Sequence, residues 1–402
     1  MMQFAVGGAV LPFIAFHLID EGFGFDAIGQ IFFCGSAASL IFPLLWGYLS
    51  DRFIPLNRLF VGMNFLAGVF LILLYLVDGL RSHQIIFACY YAFYHPTIIL
   101  INSLCFHHLP NPSMEFGRIR ALGSLGWMVP SLPLFLIFQF REEIPTGVCL
   151  LVAAGIAFTN SLLCLLLPHT PTARSRRKAR GVINPLDPEH KDEYFHHLKL
   201  LFRDRRFVSL MGSLFFAAAS FSVVALFSTP YLEQLGVKRS YAGPIQCIGV
   251  ITEVILMPML PLFFMRFGYV NGMIFGLVCL LVRQVLSYLW PDAVVLSLSY
   301  VLVGLMVIYY FTVASMALER LAHKTVRSTA QTFMVMLGSG LGPMTANLIA
   351  GILATRDFQM PYSLQPVFGF GAFLSLVSLG LLLSVYPSLR QFLDGNRSQK
   401  SD

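Results

Sequence analysis

Charged side chains inside apolar segments are the residues of this sequence best placed to do chemistry. Glu253 lies near the middle of the apolar segment 240–265, and Arg120 and Arg283 lie in two others. A charge at the centre of a membrane helix costs about 2.5–3.5 kcal/mol on insertion scales, so each is a functional candidate. A buried carboxylate near a cation can take up and release a proton. We predict that Glu253 couples proton movement and that Arg283 is its counter-charge, a structural ion pair between them being the alternative.

A second group of charges lies in the stretch GYLSDRFIPLNR, residues 47–58. Gly47 would permit close contact between helices, while Asp51, Arg52 and Arg58 stand at the edge of an apolar segment. Charges at such an edge can form a cluster that locks one conformation and is released in another. We predict a gating loop here. The alternative is that the two arginines only mark the side of the membrane on which the loop lies.

Composition indicates the environment in which these residues act. The chain has 402 residues, of which 57% are hydrophobic and 12% charged, and its mean hydropathy is +0.74. Soluble domains carry about 25% charged residues, so an ordinary soluble enzyme is excluded. Helices of about 20 apolar residues cross a membrane, and twelve of them would use most of the apolar content. The composition therefore predicts an all-α membrane protein.

Apolar runs punctuated by turn residues and charges predict twelve spanning helices. They lie near residues 2–19, 28–50, 59–77, 84–106, 118–139, 146–167, 207–229, 240–265, 270–290, 293–318, 328–353 and 363–387. One long polar stretch divides the two sets of six. We predict an N-terminal six-helix bundle at 1–167, a basic cytoplasmic linker at 168–206, a C-terminal six-helix bundle at 207–388 and a tail at 389–402.

The distribution of lysine and arginine predicts the orientation. With alternating loops, 20 of these residues fall on the side of the linker and both termini, and 5 fall on the other side. Cytoplasmic loops carry the excess of basic residues, so both termini are expected in the cytoplasm, in a multi-pass protein of the plasma (inner) membrane. This topology accounts for the net charge of +7, so no nucleic-acid partner is needed. The seven cysteines show no metal-ligand spacing, and we expect no metal, no cofactor and a monomer in the lipid bilayer.

Two sequence motifs resemble segments of known transporter families. GYLSDRFIPLNR resembles the signature loop of the major facilitator superfamily, and with six-plus-six helices the resemblance covers the whole chain. FGRIRALGSLGWM, residues 116–128, resembles the fifth helix of the lactose permease family and of the nucleoside:proton symporter family. The resemblance implies that Arg120 binds substrate, that Ser124 and Trp127 are pocket positions, and that Glu253 and Arg283 match the acidic and basic residues of helices eight and nine. On position alone, Arg120 could instead extend to the membrane surface.

The nucleoside symporters are the more similar of the two families, through residues 251–289, 326–342 and FDAIG at 25–29. The amide side chains that bind nucleosides on helices seven and eight of that family are replaced here by Ser222, Ala225 and Val250. The aspartate of helix ten is replaced by Ile308. These changes predict a more apolar pocket, with Trp127, Tyr309 and Tyr310 as walls and Asn102 as an amide contact. Helix packing is the alternative for each tyrosine.

The sequence thus predicts a secondary active transporter, a proton-coupled symporter of nucleosides or similar small hydroxylated solutes that works by alternating access. An oligosaccharide or aromatic-acid permease of the same fold is the alternative within the class. A transport-inactive sensor and a polytopic membrane enzyme are the alternatives outside it. No catalytic residue is predicted, because the sequence contains neither HExxH nor G-x-x-x-x-G-K-[ST].

Overall fold

The computed structural model describes residues 1–108, 122–141, 143–167, 191–323 and 325–394. Within the described helices, the side chains of residues 51, 52, 99, 102, 103, 105–108, 191–193 and 328 are not described. Across these ranges the secondary structure is helical, and no strand occurs among them. Ten of the described helices are long and apolar enough to cross a membrane, which makes this a multi-pass membrane protein.

Helices occur at all twelve positions where the sequence predicts an apolar segment. They are α1 (Met2–Asp20), α2 (Phe25–Arg52), α3 (Leu56–Leu76), α4 (Leu80–His108), α5 (Leu122–Phe140), α6 (Val148–Cys164), α7 (Arg205–Gln234), α8 (Arg239–Phe267), α9 (Tyr269–Leu289), α10 (Ala293–Leu321), α11 (Thr329–Ala354) and α12 (Gln365–Ser384). We call α1–α6 the first half and α7–α12 the second half. The ten apolar helices do not include α4 and α6, so a count of twelve spanning helices stays a prediction.

Helix α8, which carries Glu253, is not regular along its length. It is α-helical over Ala242–Leu256, tightens to a 3₁₀ turn at Met257–Met259 and continues as α-helix over Leu260–Phe267. Pro258 lacks a backbone N–H, so it removes a hydrogen bond of the α-helical ladder and explains the change of pitch. Glu253 therefore lies in the last turn of the regular part of α8.

A short helix, Lys191–Arg203, leads from the linker into α7. Its Tyr194 hydroxyl is 2.8 Å from the hydroxyl of Thr329, so the short helix is attached to α11. Asp204 then starts α7 as its N-cap, accepting a hydrogen bond from the backbone N–H of Arg206 at 2.8 Å. Partial burial raises the pKa of the Asp204 carboxyl, but the hydrogen bonds from Arg206 outweigh burial and hold this pKa below its ordinary value.

The two halves touch along α2 and α11 through glycine. A Cβ built on Gly29 would lie 2.5 Å from the carbonyl oxygen of Asn347, and one on Gly351 would lie 2.7 Å from the carbonyl oxygen of Phe25. Only residues without a side chain allow the two backbones to approach this closely. The contact lies on the side of the membrane opposite the linker, which we call the opposite side. The side on which α6 ends and α7 begins is called the linker side.

The packed core extends across the boundary between the halves. One continuous cluster of buried apolar side chains includes Phe13 and Leu134 of the first half with Phe227 and Tyr300 of the second. A separate cluster fills the interior of the second half, around Leu214, Met273 and Tyr310. A residue of α10 can therefore face either the boundary or the interior of its own half.

Gly29→Ala should destabilise the protein, because the added methyl group meets backbone atoms that cannot turn aside. Overpacking costs about 1–3 kcal/mol, which lowers the melting temperature of the detergent-purified protein. The matched control is Gly155→Ala on α6, where no described atom lies within 4 Å of the added Cβ. Alanine is the better helix former, so the control should melt no lower than the parent protein. Equal melting temperatures of the two variants would show that α2 and α11 do not need the close contact.

Candidate functional site

Two of the predicted site residues meet across the boundary between the halves. Ser124 on α5 donates a hydrogen bond through Oγ to Oε1 of Glu253 on α8, at 2.9 Å. Both side chains are buried, with 4% of Ser124 and 9% of Glu253 exposed. A carboxylate removed from water needs such a donor, because an unpaired buried charge is strongly destabilising. The bond therefore accommodates Glu253 and also joins the first half to the second.

Small residues let α5 and α8 approach each other on the face that carries Glu253. A Cβ built on Gly243 would lie 3.2 Å from the side chain of Ser131. Ser131 follows Ser124 by seven residues, so both serines stand on one face of α5. The contact between α5 and α8 thus runs from the Ser124–Glu253 bond toward the opposite side.

Trp127 is half-buried on α5 and packs against α1. A Cβ on Gly7 would lie 3.7 Å from the indole nitrogen of Trp127, and one on Gly8 would collide with the Trp127 carbonyl. Glycine at position 8 therefore makes room for the tryptophan, whereas the tightest neighbour of a Cβ on Gly7 is the Tyr94 hydroxyl, at 2.6 Å. Its role as a substrate contact stays a prediction.

Arg283 on α9 is buried, with 1% of its surface exposed, and is surrounded by neutral groups. Nη1 donates to Ser287 Oγ at 2.6 Å, Nη2 donates to Ser228 Oγ at 3.3 Å, and the guanidinium carbon is 5.1 Å from the centre of the Tyr300 ring. No carboxylate of the described residues lies within 4.0 Å of it. In this conformation there is no Glu253–Arg283 ion pair, so that alternative is wrong here. The counter-charge role stays a prediction.

Tyr309 and Tyr310 do not line the boundary, which corrects the prediction that they form pocket walls. The Tyr310 hydroxyl is 2.7 Å from Ser213 Oγ, and the Tyr309 ring packs 4.4 Å from the ring of Phe263. Both side chains fill the interior of the second half. The cause is the close contact of α9 with α10, since a Cβ on Gly276 would lie 2.7 Å from the Tyr310 backbone nitrogen. The helix-packing alternative describes them correctly.

The predicted gating loop is only partly visible in the described residues. The side chains of Asp51 and Arg52 lie outside them, as do Arg120 and the side chain of Asn102. Arg58 is exposed and forms no ion pair with a described residue. No described atom of another helix lies within 4 Å of a Cβ built on Gly47, so among the described residues no close helix contact occurs at Gly47, and its gating role stays a prediction.

An ion-pair cluster on the opposite side was missed by sequence reasoning. Arg239, at the start of α8, donates to Asp20 at the end of α1 and to Glu233 at the end of α7, both at 2.5 Å. Thr146 donates to the second oxygen of Asp20 at 2.5 Å. We call these four residues the rim cluster. In the sequence Asp20, Glu233 and Arg239 are loop residues and Thr146 opens a predicted helix. The only signal among them is that Arg239 counts among the basic residues of the minority side.

The comparisons with known proteins agree on one family. A family model described as nucleoside H⁺ symporter matches residues 1–387. The putative nucleoside transporter YegT of Escherichia coli is 26% identical over 369 residues, which cover 89% of this chain and 83% of that protein. Nucleoside permease NupG of Escherichia coli is 22% identical over 366 residues, covering 87% and 85%.

Solved transporters share the fold. The crystal structure of nucleoside transporter NupG matches with a TM-score of 0.77 at 19% identity, over 96% of each chain. The peptide transporter POT in complex with sulfate matches with a TM-score of 0.72 at 12% identity, over 98% of this chain and 93% of that one. This shared fold, together with the match to the family model over residues 1–387, defines a membrane transporter. The chain belongs to the nucleoside H⁺ symporter family.

Arg239→Gln should loosen the opposite side, because it leaves Asp20 and Glu233 without their shared cation. About a third of each of these side chains is exposed, and exposed ion pairs contribute about 0–1 kcal/mol, so a change of a few fold is expected. Ser240 is buried and donates to Gln139 of the first half at 2.8 Å, so Ser240→Cys can report opening on this side. An impermeant maleimide should label this cysteine several-fold faster when Arg239→Gln is also present.

The control for this measurement is Arg356→Gln, which removes an exposed arginine of the opposite side that has no ion pair with a described residue. It should leave the labelling rate unchanged. A rate that is the same in Arg239→Gln as in the parent protein would show that the rim cluster does not hold the halves together.

Proposed function

We propose that this protein is a proton-coupled nucleoside symporter that works by alternating access between its two halves. The observation that carries the proposal is the hydrogen bond from Ser124 to Glu253, which places an ionisable carboxylate at the boundary between the halves. Twelve spanning helices in two bundles, with both termini in the cytoplasm, complete the proposal, and a monomer suffices for the mechanism.

The distribution of contacts between the halves supports a conformation that is open toward the linker side. The glycine contact of α2 with α11 and the rim cluster both lie on the opposite side. Toward the linker side, a Cβ built on Gly47 of α2 would have no described atom of another helix within 4 Å. With the linker in the cytoplasm, this is an inward-facing state. Transport then requires the opposite side to open and the linker side to close around the gating loop.

Glu253 is proposed as the proton-coupling residue. As a carboxylate it only accepts hydrogen bonds, whereas the protonated acid also donates one. Proton uptake therefore changes the hydrogen bonds that Glu253 can form with Ser124 and with a substrate. Because linkage is reciprocal, a substrate that prefers one protonation state shifts the proton affinity by the same factor. The sequence places no carboxylate on α10 to share this role, since Ile308 stands at the matching position.

The substrate is proposed to lie between α5 and α8, where Arg120 and Trp127 of the first half complete the site with Glu253. A guanidinium offers a rigid set of donors to sugar hydroxyls, and an indole packs against a ring. Membership of the nucleoside H⁺ symporter family and the similarity to nucleoside transporters favour nucleosides over oligosaccharides or aromatic acids.

Purified protein in proteoliposomes should accumulate radiolabelled uridine when the outside is more acidic than the inside, because proton entry drives symport. A protonophore should abolish the accumulation, and an oligosaccharide or an aromatic acid should not compete. Arg120→Lys should raise KM at least tenfold, since a point charge does not replace the planar fork. Uptake of an oligosaccharide but not of any nucleoside would contradict the proposed substrate.

Glu253→Gln should abolish accumulation while leaving exchange of labelled for unlabelled nucleoside across the membrane. The amide is nearly the same size as the carboxyl group but does not ionise, so substrate can bind while the proton gradient no longer acts. Glu319→Gln is the control, because Glu319 is an exposed residue paired with Arg327 at 3.3 Å. Concentrative uptake by Glu253→Gln would contradict the coupling role.

A further inference from the structure

A second polar layer lies two helical turns from Glu253 toward the opposite side. Gln246 precedes Glu253 by seven residues on α8, so both stand on nearly the same face, about 10 Å apart along the helix. Gln246 is 9% exposed, as is Glu253. On the facing helix α5, Ser131 stands in the same relation to Ser124. The boundary between the halves therefore carries polar groups at two levels.

Polar atoms of this layer lack partners. The Tyr300 hydroxyl lies beside the side chains of Ser228, Arg283 and Gln246, yet it forms no hydrogen bond of normal geometry with a described residue. Nε of Arg283 is also buried without a partner among the described residues. Native proteins leave few buried polar groups unsatisfied, and each one calls for a bound water, an ion or a ligand. Two such groups, on Tyr300 and Arg283, lie together here, and Gln246 of α8 stands beside the Tyr300 hydroxyl.

The three positions that match the amide side chains of the related nucleoside transporters provide no free hydrogen-bonding group here. Ser222 Oγ donates to the carbonyl oxygen of Ala219 at 2.8 Å, so its hydroxyl is occupied within its own helix. Ala225 and Val250 have no polar side chain. The amide of Gln246 lies beside the Tyr300 hydroxyl, and it is the polar side chain that this level of α8 offers to a ligand.

We propose that Gln246 recognises the base of the nucleoside and so determines specificity, while Glu253 and Ser124 hold the sugar. The inference rests on the proposed function. A carboxamide carries both donors and acceptors, which suits the polar edge of a base. A nucleoside has hydrogen-bonding groups at both ends, as this two-level site requires. Tyr300 is a positioning residue for Gln246, and it lies over the guanidinium of Arg283, which Ser287 and Ser228 hold in place.

The charge of this layer predicts which bases are preferred. Arg283 has donors only, and no carboxylate of the described residues lies within 4.0 Å to balance it. A layer with this excess of donors and positive charge favours a base that presents a carbonyl oxygen over one that presents an amino group. Uridine and cytidine form a matched pair, because they differ only at ring positions 3 and 4: uridine presents N3–H and a carbonyl oxygen, whereas cytidine presents an unprotonated N3 and an amino group. The preference is predicted for position 4, which the proposal places at the amide NH₂ of Gln246. Uridine should therefore bind more tightly than cytidine, by about three- to tenfold, as expected for one net hydrogen bond.

The test is the ratio of KM values for cytidine and uridine in proteoliposomes. Gln246→Leu should bring the ratio close to one, while the ratio for 2′-deoxyuridine and uridine, which reports the sugar end, stays unchanged. Gln246→Glu should invert the preference, because a carboxylate accepts from the amino group of cytidine and repels the carbonyl of uridine. Gln84→Leu is the control, since Gln84 bonds Gln30 within the first half at 3.2 Å; it should leave both ratios as in the parent protein.

Two tyrosine variants separate positioning from general stability. Tyr300→Phe should lower the cytidine-to-uridine ratio with little effect on the sugar ratio. Tyr310→Phe removes a buried hydroxyl that bonds Ser213 in the interior of the second half, so it should lower the melting temperature and leave both ratios unchanged. A parent protein that transports no nucleoside would overturn the proposed function. A parent protein without a preference for uridine, or Gln246 variants that keep that preference, would overturn this inference alone.

Discussion

A buried carboxylate that needs a hydrogen-bond donor is the constraint on which the rest of this structure depends. The hydrocarbon layer offers no water, so a charged group within it must find its partners in the protein. Glu253 finds Ser124, and that partner belongs to the other half of the molecule. The interaction that makes the charge tolerable is therefore also a contact between the moving parts. In the proposed coupling role, a change of protonation at Glu253 would alter this contact directly.

Two kinds of contact join the halves on the opposite side, and they differ in the distance over which they act. The backbone contact of α2 and α11 at Gly29 and Gly351 depends on short-range packing, which is lost when the helices separate slightly. The rim cluster is longer in range, but it is partly exposed and contributes little free energy. Such a combination suits the proposed alternation between two conformations, because short-range packing and weak exposed ion pairs are lost together when the helices separate.

The second half contains two environments that determine what each polar residue can do. Tyr310 lies in its interior and is fully partnered by Ser213, whereas Tyr300 faces the boundary and has no hydrogen bond of normal geometry there. Polar groups of the first kind stabilise the half as a rigid body. Polar groups of the second kind remain available to a ligand, and Tyr300 lies beside Gln246, which stands on the face of α8 that carries Glu253.

The sequence by itself determined the helices and the position of the carboxylate. A segment that crosses the hydrocarbon layer must be predominantly apolar, so its composition alone predicts it. A charged residue within such a segment is easily recognised. Which side chains meet was decided by tertiary structure. Tyr309 and Tyr310 turn inward because Gly276 of another helix admits their backbone. Asp20 and Arg239 are 219 residues apart, and a loop charge carries no sign of its partner, because only packing of the halves brings the two together.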